Sequence, residues 1–353
     1  MAIEKLFVPT FIELSKIYPV LDVRSPGEFS HAHIPGAYSL PLFTDEERKV
    51  VGTAYKQQGK QQAIKIGLKY FGVQMAGMIE QVEAIYASHT KGQPVDVVQR
   101  KTLLVHCWRG GMRSSGVAWL LDLYGFKVYI LAGGYKFFRR WVFYQFEKEY
   151  TINVIGGYTG SGKTDVLQQL QQQGLCAIDL EAIAMHKGSA FGNLTMVKQP
   201  SQEMFENLLA IELDKVKSVV WIEDESQRIG DINLPMAFYL QKQKSPVYNL
   251  NVPFEERLTY IVEHYGRFEK EKLINAVIRI KKRLGGLETK TAINFLLEDD
   301  IKSAFAVLLK YYDKWYLKCI DQKANPASLT KPVECTTVDA VANANAIIKT
   351  AEK

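Results

Sequence analysis

The stretch that decides the fold is INVIGGYTGSGKTDVLQQLQQQG, residues 152–174. It opens with Ile152-Asn-Val-Ile155, a short β-branched run that reads as a strand. It closes with a segment in which Val166, Leu167 and Leu170 form one helical apolar face ahead of Gly174, a C-cap residue. Between them, Gly157-Tyr-Thr-Gly160-Ser161-Gly162-Lys163-Thr164 satisfies the pattern G-x4-G-K-[ST] at every position. The residue types follow from the chemistry of holding phosphate. Glycines let backbone amides approach the oxygens, a helix N-terminus favours negative charge, and Lys163 adds a full positive charge. Thr164 is the position that takes magnesium where a metal is used. Carboxylates that serve such a loop stand at strand ends. Val219-Val-Trp-Ile222 is a strand followed by Glu223, Asp224 and Glu225, and Asp179 and Glu181 follow the strand Cys176–Ile178. Each of these acids also has a plain reading as a solvated loop residue.

A second strand–loop–helix unit lies upstream. Thr102–His106 reads as a strand, and Ser114–Tyr124 carries Val117, Leu120, Leu121 and Tyr124 at helical spacing before Gly125. The loop between them is His106-Cys107-Trp108-Arg109-Gly110-Gly111-Met112-Arg113-Ser114. Amides converging in a tight glycine turn, together with a helix N-terminus, favour a thiolate at Cys107. A thiol of pKa about 8.5 is only about 3% ionised at pH 7, and lowering it to about 6.5 makes it roughly three-quarters thiolate. Cys107 is therefore the candidate nucleophile, with Arg113 and Arg109 as the cations beside it. The plain alternative is a buried strand-end cysteine with glycines that merely turn the chain. His106 reads as a packed strand residue rather than a base, and His31 and His33 lack a third metal ligand nearby.

The chain has 353 residues, enough for two domains, and 47% hydrophobic with 23% charged residues is the balance of a globular protein. The expected division is 1–146 and 147–353, broken near Tyr144–Tyr150 without a Gly/Ser linker. The expected fold class is α/β with parallel sheets in both halves, becoming mostly helical from about Glu255. Cys107, Cys176, Cys319 and Cys335 are scattered without a CxxC pair, which fits neither a disulfide framework nor a zinc site. The N-terminus does not read as a signal peptide, and the apolar run Val117–Phe126 is too short to span a bilayer. The expected location is the cytoplasm, away from membranes. A net charge of +6 suits a phosphate-rich partner but does not single one out.

Two resemblances sharpen this reading. Asp22-Val-Arg24-Ser-Pro-Gly-Glu28-Phe29 through Ala37, the Cys107 loop, and Leu131-Ala-Gly133-Gly134-Tyr135 through Trp141 together resemble the rhodanese family. That resemblance implies a rhodanese-like parallel-sheet domain whose loop cysteine carries sulfur or selenium. Five residues separate Cys107 from Arg113, and this Cys-x5-Arg loop is similar to those of dual-specificity phosphatases on the same fold. A phosphatase fused to a kinase-like P-loop domain is thus one alternative, and a non-catalytic nucleotide-gated binding module is another. The union of the two loops resembles the tRNA 2-selenouridine synthase family, as do Glu47–Gln57, Asp179–Gly192 and Glu223–Gly230. Membership implies a P-loop NTPase-like second domain. It also implies exchange of the 2-thio sulfur of wobble uridine for selenium, with selenophosphate as donor, in tRNAs for lysine, glutamate and glutamine. The family also implies S-geranylation with geranyl diphosphate, and a selenophosphate-producing enzyme as partner. Arg139-Arg140, Lys281-Lys-Arg283 and Lys187 are then candidate tRNA phosphate contacts, with Trp108 or Tyr158 as candidate base-stacking rings. A solvated basic helix face or a core aromatic is the plain reading of each.

Overall fold

The computed structural model describes residues 3–186, 198–321 and 329–352, with only the backbone described over 319–321. Lys187 and the rest of the stretch through Gly192, and the Cys319 side chain, lie outside the described residues. The chain divides into two compact units, Met1–Gln145 with Glu206–Ile211, and Phe146–Phe205 with Glu212–Lys353.

The first unit begins β1 (Glu4–Leu6), α1 (Val8–Ser15), β2 (Val20–Asp22), α2 (Pro26–His31), β3 (Tyr38–Ser39), α3 (Asp45–Gln57) and α4 (Lys60–His89). It continues α5 (Val95–Gln99), β4 (Thr102–His106), α6 (Met112–Leu123), β5 (Lys127–Leu131) and α7 (Gly134–Glu147). Its strands form a parallel sheet in the order β1-β5-β4-β2-β3. The central β4 is buried at every position, as a parallel strand covered on both faces requires. Leu103 and Val105 of β4 share one core with Val117 and Leu121 of α6 and with Phe71, Met78 and Val82 of α4. The α4 helix is 30 residues long, and its buried Ala63, Gly67, Phe71, Met78, Val82 and Tyr86 recur at helical spacing.

At the end of β2 lies a buried charge cluster. Arg24 grips Asp22 with Nη2–H···Oδ2 at 2.6 Å and Nε–H at 3.0 Å, donates to the Ala32 carbonyl at 2.7 Å, and stacks 3.8 Å from the Tyr135 ring centre. Burial works against the Asp22 carboxylate, but His106 and Arg24 outweigh it and hold its pKa below the ordinary value. His106 is fully buried, and desolvation drives its pKa down to about 4 against the pull of Asp22 at 3.6 Å. It is therefore neutral at pH 7, and Arg24 is the countercharge that matters there.

The second unit runs β6 (Thr151–Gly157), α8 (Lys163–Gln172), β7 (Ala177–Ile178), α9 (Leu180–Ile183), α10 (Gln202–Asp214), β8 (Val219–Glu223), β9 (Arg228–Ile229), β10 (Ile232–Asn233) and α11 (Met236–Gln243). The middle of α10 is counted with the first unit. There follow β11 (Val247–Asn251), α12 (Phe254–Tyr265), α13 (Lys270–Arg279), α14 (Lys281–Leu284), α15 (Gly286–Leu297), α16 (Ile301–Asp321), β12 (Thr330–Glu334) and α17 (Ala340–Ala351). The main sheet is parallel, in the order β12-β11-β6-β8-β7. Val166, Leu167 and Leu170 of α8 pack with Ile155, Trp221 and Leu250 of the sheet and with Ile347 of α17. Helices α12 to α16 enclose a separate core around Leu258, Val277, Leu296, Phe305 and Leu309. The helical run expected from Glu255 is thus interrupted by β12. Pro332 weakens any strand signal there, and it is tolerated because β12 is an edge strand that can do without one ladder donor.

The buried neutral His106 makes the first unit acid-sensitive. Its folded pKa lies below the unfolded value, so its contribution is fully present above pH 6.5 and is lost as pH falls toward about 4. That depression corresponds to roughly 3 kcal/mol. We expect the melting temperature to fall across this window in the wild-type protein, and His106→Phe to remove that part of the slope in a pH series of thermal melts.

Candidate functional site

The Cys107 loop is built from two directions. Gly110 has φ +61°, and a Cβ there would come within 2.5 Å of the Leu131 carbonyl, so the loop is seated directly on the end of β5. The first amides of α7 grip it from the same side: Tyr135 N–H donates to the Cys107 carbonyl at 2.9 Å and Lys136 N–H to that of Trp108 at 3.0 Å. With its carbonyls held this way, the loop turns other amides toward the sulfur. Burial pushes the Cys107 thiol up, but the Ser114 hydroxyl, the Arg113 guanidinium and the amides of Ser114 and Arg109 outweigh it, so its pKa is lowered. Ser114 Oγ stands 3.3 Å from Sγ and 3.0 Å from the Gly111 carbonyl, so its single proton has two acceptors within reach and turns to the sulfur when that is a thiolate. The thiol is 3% exposed.

Arg113 lies at the start of α6, and its Nη1 donates to Glu28 Oε2 at 3.1 Å. The same Glu28 oxygen forms an ion pair with Arg48 Nε at 2.8 Å, and Glu28 completes a capping box with Ser25 at the N-terminus of α2. Two arginines thus converge on one carboxylate near the thiol, and they hold that carboxyl below its usual pKa against the effect of burial. Arg109 is exposed on the outside of the loop. His33 stacks on Phe29 at 4.0 Å with its Nδ1 2.9 Å from the Phe29 carbonyl.

The second loop sits where β6 ends between β11 and β8. Gly157, Gly160 and Gly162 all have positive φ, and Lys163 Nζ donates to the Gly157 carbonyl at 3.1 Å. Ser161 is fully buried, and its hydroxyl has no hydrogen-bond partner among the described residues. Of the five expected acids, the structure brings three together. One oxygen each from Glu181, Glu223 and Glu225 lies within 4.8 Å of the others. Glu223, paired in register with Ile155 of β6, is 1% exposed, and neither of its oxygens makes a hydrogen bond among the described residues. Burial first, then Glu181 and Glu225, raise its pKa well above the ordinary value, while Thr164 pulls the other way from nearby without hydrogen-bond geometry. Glu225 is raised by burial, against the pull of Lys163 and Lys242. Crowded carboxylates of this kind need a shared proton or a hard cation, and an all-oxygen set suits magnesium. Asp224 does not join them: it pairs with buried Lys242 at 2.9 Å. Asp179 caps α9 by accepting from the Ala182 amide at 2.8 Å.

The candidate tRNA contacts fare unevenly. Arg139 is engaged by Glu206 and Asn207 rather than free for phosphate. Arg140 is exposed and lies over the Phe137 ring, and Lys281, Lys282 and Arg283 are exposed, with Arg283 over the Trp315 ring at 5.8 Å. Trp108 is partly exposed and tilts against Tyr135, whereas Tyr158 lies beneath Arg257 and against Tyr316. The roles of Ser114, Glu28 and Lys242 were not evident from sequence, because each depends on a neighbour distant along the chain or on an exact loop turn.

A thiol in an amide-lined loop on one parallel sheet, followed by a phosphate loop on another, defines a rhodanese-like domain joined to a P-loop domain. The rhodanese-like domain model matches residues 11–140, and the model of the tRNA 2-selenouridine synthase AAA domain matches residues 150–344. Curated tRNA 2-selenouridine synthases from Shewanella piezotolerans and Pseudomonas syringae pv. syringae are each 34% identical to it, over 87% of this chain and 90% and 89% of theirs. One from Bdellovibrio bacteriovorus is 39% identical over 70% of this chain and 64% of its own length. The chain belongs to the tRNA 2-selenouridine synthase family. No helix among the described residues is long and apolar enough to cross a membrane.

The lowered Cys107 pKa gives a direct expectation. Its alkylation by iodoacetamide should show a pH midpoint below the ordinary thiol value of about 8.5. Ser114→Ala, read by mass spectrometry of the modified peptide, should move that midpoint upward.

Proposed function

We propose that this protein modifies the wobble uridine of tRNA, replacing its 2-thio sulfur by selenium in two stages. In the first, the thiocarbonyl sulfur attacks C1 of geranyl diphosphate, the C–O bond breaks, and diphosphate departs from the P-loop. Geranylation turns a poor leaving group into a thioether that can leave as geranyl thiol. In the second stage, the selenium of selenophosphate attacks C2, the C2–S bond breaks and geranyl thiol leaves. The Cys107 thiolate then takes the phosphoryl group, breaking the P–Se bond so that selenium stays on C2, and water releases phosphate from the sulfur. Arg113 and the loop amides hold the phosphate oxygens. The observation that carries this reading is the Cys107 thiol: although buried, it is held toward thiolate by Ser114, Arg113 and two loop amides. That environment suits a thiolate that must attack a phosphoryl group and release it to water. Family membership supplies the tRNA substrate, and acceptors for lysine, glutamate and glutamine are part of the proposal.

The P-loop amides, Lys163 and Thr164 would hold the diphosphate. Where magnesium takes part, Thr164, Glu181, Glu223 and Glu225 would hold it. The ion would supply positive charge against the departing diphosphate. The reading places the protein with other tRNA-modifying enzymes of the cytoplasm and calls for a selenophosphate-producing enzyme upstream.

The two stages can be separated. Cys107→Ala should abolish formation of 2-selenouridine and spare geranylation, whereas Lys163→Ala should remove geranylation. Mass analysis of wobble nucleosides after reaction with each co-substrate reads both. Equal damage to one and the same step by the two substitutions would overturn this division of labour. Rapid Cys107-dependent hydrolysis of an aryl phosphate would instead favour a phosphatase.

A further inference from the structure

Helices α12 and α16 reach the P-loop through a set of contacts that the reaction scheme does not use. Arg257 of α12 is 3% exposed. Its Nε donates to the Val252 carbonyl at 3.2 Å, and Nη1 donates to the Thr159 carbonyl, inside the P-loop, at 3.0 Å. Nη1 and Nη2 form a two-pronged pair with Asp313 of α16 at 2.9 and 2.8 Å. The guanidinium also lies 4.9 Å from the centre of the Tyr158 ring, whose other neighbour is Tyr316 at 5.2 Å. The Tyr316 hydroxyl accepts from the Gly157 amide at 2.9 Å and donates to Asn249 of β11 at 3.0 Å. Gly160 is seated just as closely: at φ +82°, a Cβ there would come within 2.6 Å of Ile261 and 3.0 Å of the Arg257 carbonyl.

The donor count decides what kind of arginine this is. Arginine has five N–H donors, and these bonds commit four of them to protein acceptors. An arginine that meets phosphate directly must keep its fork open, so Arg257 acts through the loop. We propose that Arg257, Asp313 and Tyr316 are positioning residues that hold Gly157, Tyr158 and Thr159 in the conformation that binds diphosphate, coupling the C-terminal helices to ligand affinity. This rests on the P-loop being the diphosphate site. Lysine cannot reproduce the arrangement, because one ammonium cannot span Val252, Thr159 and both Asp313 oxygens.

Calorimetric titration of the full-length protein with geranyl diphosphate, inorganic diphosphate and ATP tests this in the wild type, Arg257→Lys and Tyr316→Phe. We expect diphosphate affinity to fall about tenfold in Arg257→Lys and about threefold in the milder Tyr316→Phe. In the geranylation assay, KM for geranyl diphosphate should rise in step while KM for tRNA and the rate of Cys107 alkylation stay at wild-type values. If the wild type binds diphosphate and both folded variants bind it equally well, the positioning role is wrong and the phosphate site stands. A parallel loss of ligand affinity, Cys107 reactivity and melting temperature would reduce the contacts to general stability and equally overturn the proposal. If the wild type binds none of the three ligands, the diphosphate reading itself falls, and this inference with it.

Discussion

A strand that ends in a glycine turn and re-enters a helix leaves backbone N–H groups without partners, and a buried unpaired polar group costs about 1–3 kcal/mol. Both working loops of this chain are made of such a turn. In the first, α7 amides take the Cys107 and Trp108 carbonyls, while the Arg109 and Ser114 amides are left to face the sulfur. In the second, Tyr316 takes the Gly157 amide, and the buried Ser161 hydroxyl has no partner among the described residues. A thiolate satisfies such donors in the first loop, and an anion would do the same in the second.

Charge is managed by pairing around these loops. Around Cys107, Glu28 gathers Arg48 and Arg113, and the buried Asp22–Arg24 pair braces the preceding strand. Such a pair gives little net stability over an apolar core, but removing one partner leaves a buried charge unmatched. Near the P-loop the balance tips the other way. Glu181, Glu223 and Glu225 crowd one another with Lys163 and Lys242 as nearby cations, while Asp224 pairs with Lys242 and Asp179 caps α9. That crowding calls for a shared proton or a hard cation among the three carboxylates.

Much of this was legible in the residues themselves. Glycine at 157, 160 and 162, with Lys163 and Thr164, defines a loop by local geometry, and β6 and α8 follow from local apolar patterning. The strand Thr102–His106, the helix after it and Gly125 as its stop were readable for the same reason: backbone preference and side-chain period act over neighbouring residues. Less visible were α4, whose signal is blurred by glycines at 67, 72 and 77, and β12, where Pro332 obscures an edge strand.

Sequence alone therefore determined which residues form the two glycine loops and which side chain is the candidate nucleophile, because both depend on contacts within about ten positions. Tertiary structure alone decided which acids meet. Glu181 and Glu223 are separated by an α-helix and a strand crossing, yet their oxygens approach, while adjacent Asp224 turns to Lys242. It also decided that Arg257, 98 residues beyond Thr159, donates to a carbonyl of the P-loop. No local period encodes such contacts, since they exist only once parallel strands and the helices packed on them have brought distant segments within hydrogen-bond range.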